Sequence, residues 1–69
     1  MADTVPHIVI QKHLRRRAVE ELTGLSRSTI YDLMARGDFP RPVHLTRRAV
    51  AWPEGAIAEW LAERASIAA

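Results

Sequence analysis

The sequence predicts a mainly α-helical domain of three helices with one small β-hairpin, and three observations carry that prediction. Apolar residues recur at helical spacing in three separate stretches. Glycine closes the first two where a helix would end. Between the second and third, two short apolar runs flank a polar "TRR", the pattern of a hairpin with a charged tip.

In chain order, residues 1–13 read as a flexible N-terminal tail, with Asp3, Thr4 and Pro6 breaking regular structure. Within it "HIVI", residues 7–10, has strand composition and could pair with a neighbour or another copy; a frayed end is the alternative. The folded domain is expected over residues 14–66. Ala18, Val19 and Leu22 mark the inner face of a first helix, and Glu20 and Glu21 point away. Gly24 offers the left-handed residue that a helix C-terminus favours, and Leu25 is then free to plug the corner. Ser26 is a good N-cap for a second helix, whose apolar stripe is Ile30, Leu33 and Met34. Arg36 sits in its last turn, where a cation suits the dipole, and Gly37 stops it. "PVHL" and "AVAW", residues 42–45 and 49–52, supply the two strands of the hairpin. Pro53 and Glu54 suit the start of a last helix with Ile57, Trp60, Leu61 and Ala65 on its inner face. Phe39, Trp52 and Trp60 are the bulky core fillers.

Composition narrows the chemistry. Sixty-nine residues make one small domain with a thin core. No cysteine is present, so a disulfide and a thiolate metal site are both excluded. The absence of cysteine fits a reducing compartment. No apolar run reaches the roughly 18–20 residues of a membrane helix, and the N-terminus lacks the basic-then-apolar order of a secretory signal. A cytoplasmic protein without a membrane partner is the expectation. The net charge is only +2, but it is unevenly spread: residues 12–48 hold nine cationic and four acidic residues, whereas residues 49–69 hold Arg64 against three glutamates. A basic body of this kind suits a polyanion.

Two helices joined through "TGLS" form a helix-turn-helix, and the hairpin adds a wing. In such a unit the second helix enters the DNA major groove and its early residues face base edges. Arg27 can fork onto guanine or onto a phosphate. Ser28 and Thr29 offer hydroxyls and a methyl group. Tyr31, one turn on, reaches a phosphate. Arg36 adds a cation to the same helix. Arg47 and Arg48 on the wing would reach the flanking backbone or minor groove, and Arg15, Arg16 and Arg17 would meet a phosphate ridge.

The pieces "TGLSRSTIY", "GDFPRPV", "RAVAW" and a closing helix with "EWL" fall in this order within residues 14–64. That span resembles the AlpA-type regulators of prophages and integrative elements, close in fold to excisionases and to the DNA-binding head of MerR proteins. The resemblance implies a winged helix-turn-helix that occupies and often bends double-stranded DNA without catalysis. It also implies that Arg27, Ser28, Thr29 and Tyr31 match recognition-helix positions and that Arg47 and Arg48 match the wing. Three departures from the pattern stand out. Asp32 stands where relatives often carry a basic residue, and could accept from a cytosine amino group or pair with Arg36. Thr46 replaces the glycine common at the wing turn. Pro53 and Gly55 open a helix that in relatives starts with helix formers, and Gly55 should soften that start by about 1 kcal/mol.

Rival functions find less support in the residues. His7, His13 and His44 are scattered with no carboxylate at ligand spacing, so no catalytic or metal centre and no cofactor is expected. A protein-interaction module or antirepressor would want an apolar patch on the second helix, whose outer positions are instead charged or hydroxylic. Within DNA binding, transcriptional control is preferred over an excisionase role at attachment sites. One module offers limited surface, so a homodimer or cooperative tandem copies are expected, with integrase or RNA polymerase as candidate protein partners.

Overall fold

In the computed structural model residues 10–68 are described. The order is β1 (His13–Leu14), α1 (Arg16–Thr23), α2 (Arg27–Ala35), β2 (Val43–His44), β3 (Val50–Pro53) and α3 (Glu54–Ala68). The three helices and the β2–β3 wing are those expected of a winged helix-turn-helix. A third strand joins them. β1 pairs antiparallel with β3 on the edge opposite β2, giving the sheet order β1–β3–β2, with Leu14 opposite Trp52 and Val43 opposite Ala51.

Each helix boundary has a local cause. At the end of α1, Gly24 adopts φ +75° and its N–H donates to the Glu20 carbonyl at 2.8 Å. The Thr23 hydroxyl stiffens the same corner, donating to the Val19 carbonyl at 2.7 Å and accepting from the Leu25 N–H at 3.2 Å. Ser26 then caps α2, its Oγ accepting from the Thr29 N–H at 3.3 Å. At the far end Gly37 has φ +78°. Its N–H donates to Met34 O and that of Asp38 to Leu33 O, the paired bonds of a Schellman ending.

α3 starts differently from expectation. The Glu54 N–H donates to the Lys12 carbonyl at 2.8 Å, and the Gly55 N–H donates to Gln11 Oε1 at 2.9 Å. A side chain 44 residues away thus caps the turn that Gly55 would otherwise loosen. A Cβ at Gly55 would stand 3.0 Å from that same oxygen, so the missing side chain makes room for the cap. Residues 11–13, read from sequence as tail, therefore carry contacts to the body. Of the expected "HIVI" strand, residues 7–9 lie outside the described residues, and Ile10 is in no strand and 94% exposed.

The core is Leu14, Val19, Ile30, Phe39, Trp52 and Ile57, with Ala18, Leu25, Leu33, Met34, Trp60 and Leu61 packed around it. Each large side chain buried here stabilises by roughly 1.5–3 kcal/mol. Phe39 meets Trp52 and Trp60 edge-on, at centroid distances of 6.3 and 4.9 Å. Both indole N–H groups bond backbone carbonyls of the α2–β2 link: Trp52 to Pro40 at 2.8 Å and Trp60 to Asp38 at 2.7 Å. Two helical positions expected inside lie outside. Leu22 is 57% exposed, because α1 is short and Ala18, Val19 and Leu25 already fill the space beneath it. Ala65 is also exposed, beyond the reach of the sheet. Among the described residues no helix is long and apolar enough to cross a membrane.

Candidate nucleic-acid interface

Three segments build this surface: the start of α1, the outer side of α2 and the wing turn. On α2 and its C-cap, Arg27, Ser28, Thr29, Tyr31 and Arg36 are all solvent-exposed, because Ile30, Leu33 and Met34 take the inner stripe. Their availability differs. The Thr29 hydroxyl lies 2.9 Å from Ser26 Oγ and that of Ser28 lies 3.3 Å from it, so both belong to the capping cluster. Thr29 keeps its methyl group for an outside contact, whereas Ser28 can turn its hydroxyl outward. Arg36 is held by Asp32 at 2.9 Å, the i,i+4 pairing foreseen for that departure from the family pattern. Arg27 sits over the Tyr31 ring, its guanidinium carbon 5.8 Å from the centroid, so cation and ring stack along one edge of α2.

The wing turn needs no glycine. The Thr46 hydroxyl accepts from the N–H groups of Arg48 and Ala49 at 3.3 and 3.0 Å, and the Leu45 N–H donates to Ala49 O at 2.7 Å. Among the described residues only Gly24 and Gly37 have positive φ, so the tip is a side-chain-closed turn. It presents Arg47 and Arg48 to solvent.

Arg15, Arg16 and Arg17 line a cleft of ≈ 310 Å³ together with Tyr31, Arg48 and Val50. Sequence spacing could not bring Arg48 to this triplet; the pairing of β3 with β1, the strand that leads into α1, does so. Arg16 is the most committed of the cluster, with Nε donating to Glu20 Oε2 at 3.0 Å. The hydrogen bond to Glu20 is the main cause that raises its pKa above the usual guanidinium value. Among the described residues no carboxylate forms an ion pair with Arg15, Arg17, Arg27, Arg47 or Arg48. Such a surface can fork guanidinium groups onto phosphate or guanine and donate a phenol hydroxyl beside them.

A family model described as "Prophage CP4-57 regulatory protein (AlpA)" matches residues 12–65. The uncharacterized protein ORF88 of Enterobacteria phage P4 is 43% identical over 60 residues, which cover 87% of this chain and 68% of the relative. The DNA-binding transcriptional activator AlpA of Escherichia coli (strain K12) is 40% identical over 60 residues, covering 78% of this chain and 86% of the relative.

Proposed function

The chain belongs to the AlpA family of phage regulatory proteins, and on that premise we propose that it binds double-stranded DNA and regulates transcription of a prophage or integrative element. The observation that carries this reading is the continuity of cationic groups from α2 to the wing. Arg27 stacks on Tyr31, and Tyr31 borders the cleft of Arg15, Arg16, Arg17 and Arg48. α2 enters the major groove, with Arg27 and the outer groups of Ser28 and Thr29 toward base edges. Arg47 reaches the flanking backbone or minor groove from the wing tip. Arg36, tied to Asp32, contributes little charge. A single module buries only roughly 600–1,000 Å², so two or more copies act on repeated half-sites.

Fluorescence anisotropy at several salt concentrations tests the reading. Its probes are duplexes from upstream of the protein's own gene, duplexes from the ends of its genetic element, and a scrambled control. Salt-sensitive preference for the upstream fragment is the expected result. Preference for the element ends would move the function to excision, where the same surface holds bent attachment-site DNA. Equal weak binding to every fragment would refute sequence-specific recognition and point to a protein partner for α2.

A further inference from the structure

We propose that the cleft between α1, α2 and the wing seats a single DNA backbone phosphate, gripped at once by the α1 arginines, Tyr31 and Arg48; this rests on the DNA-binding reading. Two separate contacts, a wing on one groove and an arginine ridge elsewhere, are what linear order suggests. The fold replaces them with one. Arg15, Arg16, Arg17, Tyr31, Arg48 and Val50 border the same space.

Charge makes an anion the fitting occupant. Four arginines border that space, and among the described residues only Arg16 of these four has a carboxylate partner. Like charges gathered around one opening repel one another, and a polyanion removes that cost while gaining forked hydrogen bonds. The backbone adds to this. Arg15 is the N-cap of the eight-residue α1 but makes no side-chain cap, so the first-turn N–H groups beside the cleft have no capping acceptor. The volume, ≈ 310 Å³, lies at the bottom of the range for small-molecule pockets, and Val50 is the one apolar residue of its border. Arginine dominates its border, and a phosphate is the group whose oxygens such donors match. Because Arg27 sits over the Tyr31 ring, filling the cleft also bears on where the first turn of α2 meets the base pairs.

Salt dependence of DNA affinity distinguishes one shared phosphate from two. Each phosphate contact contributes a slope of about 0.9 in log affinity against log salt. The full-length chain, R17A, R48A and the R17A/R48A double variant are titrated on one duplex, with folding checked by circular dichroism. One shared phosphate can lose at most one phosphate's worth of slope, so R17A, R48A and the double should each lower it by no more than about 0.9, the double included. Slopes that add, to about 1.8 in the double, would overturn the proposal and leave the DNA-binding reading intact. Arg47 lies outside the cleft, so R17A/R47A serves as the additive control. A duplex with one methylphosphonate at the shared position should bind parent, R17A and R48A alike; persistence of both mutational effects at every position tested would also overturn it. If the parent binds no duplex, the functional reading falls and with it the backbone assignment. Inorganic phosphate followed by NMR then judges the cleft alone: shifts at Arg17, Tyr31 and Arg48 support an anion seat, and their absence rejects one.

Discussion

Replacing Gly24 by alanine isolates the conformational demand of the helix-turn-helix corner. The residue sits at φ +75°, and a Cβ built there meets nothing within 4 Å. Steric crowding therefore contributes nothing, and any loss of stability reports backbone strain. Holding a residue with a side chain in the left-handed region costs about 1–2 kcal/mol. The lower entropy of the unfolded alanine variant returns about 0.4–1 kcal/mol. From the middles of the two ranges the net loss is about 0.8 kcal/mol, which in a domain this small lowers Tm by about 3–6 °C. Circular dichroism melts, with urea titrations to confirm an unchanged m-value, measure it. Gly24→Asn should lie between parent and alanine, because asparagine tolerates this region better. G37A, equally free of contacts at φ +78°, should match G24A. An alanine variant as stable as the parent, or an asparagine variant worse than alanine, would refute the reasoning.

Other substitutions probe the remaining joints. Gln11→Ala removes the remote cap on α3 and should cost about 0.5–1 kcal/mol, with faster amide exchange at Gly55 while exchange in α1 stays unchanged. Ser26→Ala should cost about 1 kcal/mol in a urea melt, because Oγ receives the Thr29 N–H and anchors two neighbouring hydroxyls. Asp32→Ala breaks an exposed ion pair worth about 0.3–0.5 kcal/mol, yet it releases Arg36 and removes an anion from α2. Its stability should barely move while its affinity for any duplex rises in an anisotropy titration. Arg27→Ala should cost about 1–3 kcal/mol on the preferred site and far less on a scrambled duplex.

Much of this architecture is legible in the residues. Ser26, Gly24 and Gly37 mark helix ends through local chemistry, and Ile30, Leu33 and Met34 fix the inner side of α2 by spacing alone. The wing follows from two apolar runs. What was hidden is non-local. A two-residue strand such as His13–Leu14 has no periodicity to detect, and only its pairing with β3 defines it. Gln11 looks like any polar residue before a domain until the chain returns 44 residues later. Leu22 keeps helical phase with Val19, but an eight-residue helix has too little partner surface to cover it. At the interface, the residue types on α2 and the wing were readable from their positions. The union of Arg48 with residues 15–17 was not, since it depends on which edge of β3 receives β1.

The two indole hydrogen bonds to Asp38 and Pro40 bear on how this surface would meet a duplex. They bolt down the short span between α2 and the wing, one from the sheet and one from the last helix. Helix and wing then behave as the fixed jaws of a calliper, with their gauge set before any ligand arrives. A calliper measures by what fits it. On the DNA-binding reading, groove width and bendability must supply the adjustment, and sites that deform at low cost would be favoured even at base pairs no side chain touches.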